Sequence, residues 1–143
     1  MSRVGRVAIV AAMRETDPRI LKALRDAFCD PASNVVSFTE AARTGGCRPD
    51  EGLDHLLPPE LTTYARKTLL KKAIADALAR GEAPTREQAT GDAVMRLDAA
   101  TYYHFRVTVE RVRLFVKVWF EDDAREPIVR VISVKRDDQA WSS

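Results

Sequence analysis

Residues able to do chemistry recur at every second position between Tyr102 and Trp119. Tyr102, His104, Arg106 and Thr108 form one set, and Arg113, Phe115, Lys117 and Trp119 the next. A period of two puts each set on one face of a β-strand. Cations interleaved with rings suit a single-stranded nucleic acid, in which cations hold phosphates and rings stack bases. His104 adds a titratable group: Lys117 and Arg106 beside it would favour the neutral imidazole, which can take a proton near neutral pH. In such a site His104 is the candidate base, and Arg106 and Arg113 stabilise charge developing on a phosphorus attacked by the neighbouring 2′-hydroxyl. Lys117, Lys135 and Arg136 would hold flanking phosphates, with Phe115 and Trp119 as stacking platforms. A plainer reading stands beside this one. Any half-buried antiparallel sheet has a polar outer face where long-stemmed Arg and Lys are common, and helices could instead cover Phe115 and Trp119.

The elements that must position these residues are legible in the same pattern. Tyr103, Phe105, Val107 and Val109 alternate with the first set, and Val112, Leu114, Val116, Val118 and Phe120 with the second. A hairpin turning at Glu110-Arg111 pairs Val107 with Leu114 and Phe105 with Val116, which sends every apolar member to one face. The acidic run Glu121 to Glu126, closed by Pro127, leads to a third strand, Ile128 to Val134. Upstream, Asp17-Pro18 supplies an N-cap and a first-position proline for a helix carrying Ile20, Leu21, Leu24 and Phe28. Val35 to Phe38 reads as a strand, and Thr39 to Arg43 as a helical turn closed by Gly45-Gly46. After Pro58-Pro59 comes the strongest helix. Leu61, Ala65, Leu69, Ala73 and Ala77 lie in one line with Leu70, Ile74 and Leu78 beside it, leaving Arg66, Lys67, Lys71 and Lys72 for the solvated side. Thr85 and Gln88 have capping-box spacing and predict a helix to about Leu97. Arg6 to Ala12 reads as a buried strand or helical turn. The fold class is therefore α+β: one domain over residues 1–143, its helical, loop-rich first part (1–56) packed with the following helix on a C-terminal antiparallel meander.

Composition narrows the function classes. A chain of 143 residues with 45% hydrophobic and 31% charged residues has the make-up of an ordinary globular domain. The longest apolar stretch, Val7 to Met13, is far shorter than a bilayer span, and no cleavage region follows it, so the chain reads as cytoplasmic. The net charge of +2 is too small to indicate nucleic-acid binding by itself; its distribution matters more. Cys29 and Cys47 lie in no metal spacing and read as one buried and one loop thiol, and His55 reads as a capping or packing residue. There is no P-loop, GxGxxG, GxSxG or HExxH motif, and no cofactor is implied.

The helix LPPELTTYARKTLLKKAI, the hairpin FRVTVERVRLFVKVWF and the strand IVRVISVKR together resemble the RelE/ParE-like toxins of the barnase–colicin–RelE ribonuclease fold. The resemblance covers residues 57–141 and lies in pattern rather than in invariant positions. It implies helices against a small antiparallel sheet, RNA cleavage on the sheet face without metal, and a cognate antitoxin. The family's basic strand positions fall on Arg106, Arg113 and Lys117, and its terminal basic pair on Lys135 and Arg136. Many members follow that pair with a tyrosine; here the later aromatic is Trp141, which has no ionisable hydroxyl. Two functions follow from the residues and the resemblance. One is an RNA-binding domain of toxin-type endoribonuclease character. The alternative is a non-catalytic module, an immunity or regulatory partner, docking another protein through exposed Phe115 and Trp119.

Overall fold

The computed structural model describes residues 12–29, 36–46, 51–87, 100–121 and 128–137. In chain order these form β1 (Ala12–Arg14), α1 (Pro18–Cys29), β2 (Val36–Phe38), α2 (Glu40–Thr44), α3 (Leu53–Leu56), α4 (Thr63–Ala79), β3 (Thr85–Glu87), β4 (Ala100–Val109), β5 (Val112–Glu121) and β6 (Ile128–Arg136). The strands make a six-stranded sheet in the order β1-β3-β4-β5-β6-β2. All neighbours are antiparallel except β2, which runs parallel to β6. The α+β expectation holds, and the N-terminal part contributes both edge strands as well as helices.

The β4–β5 hairpin has the register that the alternation demands, with Val107 opposite Leu114 and Phe105 opposite Val116. Its two-residue turn places Glu110 at φ 50° and Arg111 at φ 69°. Positive φ at both positions is the I′ geometry, which matches strand twist but strains residues that carry a Cβ. Replacing Glu110-Arg111 by Asn-Gly should therefore raise stability by roughly 1 kcal/mol, read as a higher urea midpoint; a lower midpoint would show that the native pair makes a compensating contact.

All the described helices lie over the valine face of the sheet. Leu24 and Phe28 of α1, Leu70 and Ile74 of α4, and Leu53 of α3 are sealed against Tyr103, Phe105, Leu114, Val116, Val118, Val129 and Val131. Phe28 meets Phe105 edge-to-face at 5.9 Å, a favoured aromatic geometry. Thr39 and Thr62 cap α2 and α4, accepting from the amides of Ala42 and Ala65. Gly52, at φ 96°, opens α3 where any Cβ would overlap the backbone of Gly45, and its amide donates to the Val134 carbonyl at 2.8 Å.

Several expectations need correction. The α4 stripe is rotated from the one drawn at a spacing of four. Leu70 and Ile74 are fully buried, whereas Leu61 and Leu69 are half-buried. Arg66 and Lys71, assigned to the solvated side, are 8% and 7% exposed, and Lys67 is half-buried with its ammonium 5.5 Å from the Phe38 ring. Arg66 is buried because its charge is met. One guanidinium nitrogen lies 3.0 Å from Asp54 Oδ1, and its other donors reach the carbonyls of Pro58 and Pro59, as a buried cation requires. The residues read as a helix from Thr85 begin as strand β3, paired with Tyr102–His104 of β4; positions 88–97 of that helix lie outside the described residues. Pairing to an open sheet edge won over a capping pattern. Cys29 is exposed, not buried, and His55 is exposed on α3. Arg6 to Ala11, Cys47 and Trp141 lie outside the described residues. Among the described helices none is long and apolar enough to cross a membrane.

Candidate functional site

The face of the sheet opposite the valines carries no described helix. Its side chains form rows running across the strands, about 5 Å apart at each step. One row reads Arg14, Thr85, His104, Lys117, Ser133, and the next reads Arg106, Phe115, Lys135. A third reads Tyr102, Trp119, Arg130, Ser37, and Thr108 opposite Arg113 closes the hairpin end.

The last strand reaches this face by a bulge. The β5–β6 register shifts at Lys117/Val118, which face Ser133 and Val131, so Ile132 is the extra residue. Without it Arg130 and Lys135, an odd number of positions apart, would point to opposite sides. Thr39 holds the bulge: its amide donates to the Val131 carbonyl at 3.0 Å and its hydroxyl to that of Ile132 at 3.4 Å.

Each ring on the face is seated among cations. The Arg106 guanidinium lies 5.3 Å and the Lys135 ammonium 5.9 Å from the Phe115 centroid, and His104 packs on the same ring at 4.8 Å. The Lys117 ammonium lies 4.7 Å from the Tyr102 ring and the Arg130 guanidinium 4.5 Å from Trp119. These are cation–π distances. They fix the height and position of charges that would otherwise wander on long stems, leaving Arg14, Arg106, Arg113, Lys117, Arg130 and Lys135 on one side of a chain whose net charge is only +2. Asp137 pairs with Arg106 and Arg113 at 3.9 and 3.5 Å, and Glu121, two positions beyond Trp119 on β5, adds a carboxylate at the far end of the face.

A cleft of about 640 Å³ opens beside His104, lined by Arg14, Glu82, Thr85, Arg106 and Phe115 among others. A second, of about 510 Å³, runs from Arg106, Thr108, Arg113 and Asp137 to Lys72 and Arg80 of α4. The indole N–H of Trp119 is the buried side-chain donor that finds no acceptor among the described residues.

Of the residues read from the sequence, His104, Arg106, Arg113, Phe115, Lys117, Trp119 and Lys135 share this face. Arg136 does not. It stands opposite Leu114 and leaves the strand on the valine side, because adjacent strand residues point in opposite directions. Phe115 is 9% exposed and Trp119 half-buried; Phe115 is covered by its own cations rather than by helices. Arg14, Arg130 and Asp137 were missed. The short edge strand and the bulge carry no signal in the local alternation, and the pairing of Asp137 with two strand arginines is a long-range contact. No cluster of three or more His, Cys, Asp or Glu with metal-binding geometry exists among the described residues. No known protein family, curated protein or solved structure matches the chain.

Proposed function

We propose that the open sheet face binds single-stranded RNA, and that His104 is positioned there to cut it as the RelE/ParE-like resemblance implies. The observation that carries the reading is the row structure itself: ring-seated cations on a helix-free face. Successive same-face residues on a strand are about 7 Å apart, a pitch that lets one backbone pass from Lys117 to Arg106 to Arg113. Tyr102 and Trp119, half-buried and at one end of the face, are the stacking surfaces; Phe115 serves as a seat for cations.

In the cleavage step the 2′-hydroxyl attacks the adjacent phosphorus, its proton passes to the His104 imidazole, and the P–O5′ bond breaks as the leaving 5′-oxygen takes a proton from solvent water. A 2′,3′-cyclic phosphate and a 5′-hydroxyl result. Arg106, one same-face position along β4 from His104, would hold the charge on the phosphorane. The protein-docking alternative loses support, because it needs Phe115 exposed, and Tyr64 on α4 is the exposed large hydrophobic residue among those described.

The test is filter binding and cleavage of a single-stranded RNA in EDTA at low salt. Lys117→Ala should weaken binding and lower the salt slope by about 0.7 with little change in melting temperature, since half-exposed charges contribute little to folding. His104→Ala should abolish cleavage and retain most of the binding. If the wild type neither binds nor cuts, the proposal fails.

A further inference from the structure

We infer that Asp137 is a built-in anion standing where a nucleic-acid phosphate would lie, so that Arg106 and Arg113 form a phosphate subsite occupied from within until a phosphodiester displaces the carboxylate. The inference rests on the proposed reading of the face as a polyanion site; it adds the position of one phosphate and the step that opens it.

Asp137 follows β6 directly, and its amide donates to the Arg113 carbonyl at 2.9 Å, which fixes its backbone against β5. The side chain is only 5% exposed. Oδ1 lies 3.9 Å from Arg106 Nε and Oδ2 lies 3.5 Å from Arg113 Nη2. One oxygen to each arginine is also how the two non-bridging oxygens of a phosphodiester would sit between them. Yet both separations exceed the 2.7–2.9 Å of a tight charge-assisted hydrogen bond. The carboxylate lowers the field of the arginines without saturating their donors, of which each guanidinium has five.

Both arginines keep a free approach. Their side chains are 47% and 59% exposed and border the cleft of about 510 Å³. The charges on its other wall are already matched, Lys72 with Asp76 at 3.0 Å and Arg80 with Glu82 at 2.9 Å. An entering anion therefore competes with Asp137 and with no other described carboxylate paired to these arginines. A phosphodiester carries the same single charge as the carboxylate, but its non-bridging oxygens are free to close to hydrogen-bond distance of both guanidinium groups, which a carboxylate whose backbone is tied to the neighbouring strand does not reach.

The experiment uses the full chain with a fluorescent single-stranded oligouridylate, and inorganic phosphate as the second probe. Asp137→Asn keeps the shape and the amide but removes the competing charge; it should bind the strand on the order of tenfold more tightly at low salt, with a salt slope larger by about 0.7. Asp137→Glu keeps the charge and should behave like the wild type. In the wild type, phosphate should shift the Nε–Hε signals of Arg106 and Arg113 together with the carboxyl carbon of Asp137, a readout that decides the question even if Asp137→Asn does not fold. Weaker or unchanged strand binding by a folded Asp137→Asn overturns the inference, as do arginine signals that move while Asp137 stays still. Wild-type binding with normal salt dependence would in those cases leave the reading of the face standing; absence of binding by both proteins removes the two together.

Discussion

Truncating Leu70 to alanine is expected to destabilise the protein by roughly 2–5 kcal/mol, and Leu69→Ala by less than half as much. The two side chains are neighbours on α4 with the same chemistry, so only their place on the helix distinguishes them. Leu70 is wholly buried, one turn from Ile74, which is equally sealed. Removing its isobutyl group leaves a cavity between rigid partners on the sheet, which cannot collapse to fill it. Leu69 is half-buried at the border of the hairpin-side cleft, where water can take the vacated space. Urea melts of the two variants measure the contrast. Equal losses would place the centre of the buried face elsewhere on the helix.

Glu15→Ala should be comparably severe, about 3–5 kcal/mol, because it strips a buried anion from several donors at once. Glu15 is 4% exposed. Its Oε1 accepts from the Tyr103 hydroxyl at 2.5 Å and faces Arg86 at 3.7 Å, and its Oε2 accepts from the amides of Thr16 and Asp17 at 3.1 and 3.0 Å. One carboxylate thus ties the entry of α1 to β3 and β4. Burial resists its ionisation, but the Tyr103 hydrogen bond, the two amides and Arg86 together outweigh that and hold its carboxyl below the ordinary value. The same contact raises Tyr103, through burial first and then its bond to the neighbouring carboxylate. The signs give two pH arms. A lowered carboxyl contributes stability that is complete above the unfolded-state value, near 4.5, and is lost as pH falls through the folded one. A raised phenol contributes stability that is complete below its ordinary value near 10 and is lost as pH rises beyond it. Urea midpoints across pH should show a shallower acid arm in Glu15→Gln and a shallower alkaline arm in Tyr103→Phe; unchanged arms would remove the pair from the account of stability.

What was legible in the sequence was whatever repeats with a short period. The hairpin register from Thr101 to Phe120 follows residue by residue, because a slip of one position would turn every valine to water. The same argument carried His104, Arg106, Arg113, Phe115, Lys117 and Trp119 to a common face. Long-range partners were not legible. Arg66 and Lys71 look solvated on a helical wheel; for Arg66, only the folded chain shows that Asp54 and two proline carbonyls surround it. Strands of three residues are too short for periodicity, so Thr85–Glu87 passed for the start of a helix. The bulge at Ile132 inverts parity within one strand, which hid Arg130, while Arg136 was misplaced by being read together with its neighbour Lys135. Glu15, isolated in the sequence among Arg14, Thr16 and Asp17, gives no hint that Tyr103 is waiting for it.

The sheet order has a consequence for how the molecule is assembled during synthesis. β2 pairs with β6 at a sequence separation of 93 residues, and β1 reaches its place only through β3. The two strands made first thus occupy opposite margins of a sheet whose interior is made last. While the chain emerges, helices α1 to α4 can associate early, but Val36 to Phe38 has no template until Val129 to Val131 has left the ribosome. High contact order of this kind slows folding, because the loop must close before the pairing rewards it. It also makes the final strand the closing event: once β6 lies down, the bare flank of β5 and the idle segment at β2 are covered in a single step, and two sites for unwanted strand pairing between nascent chains vanish together.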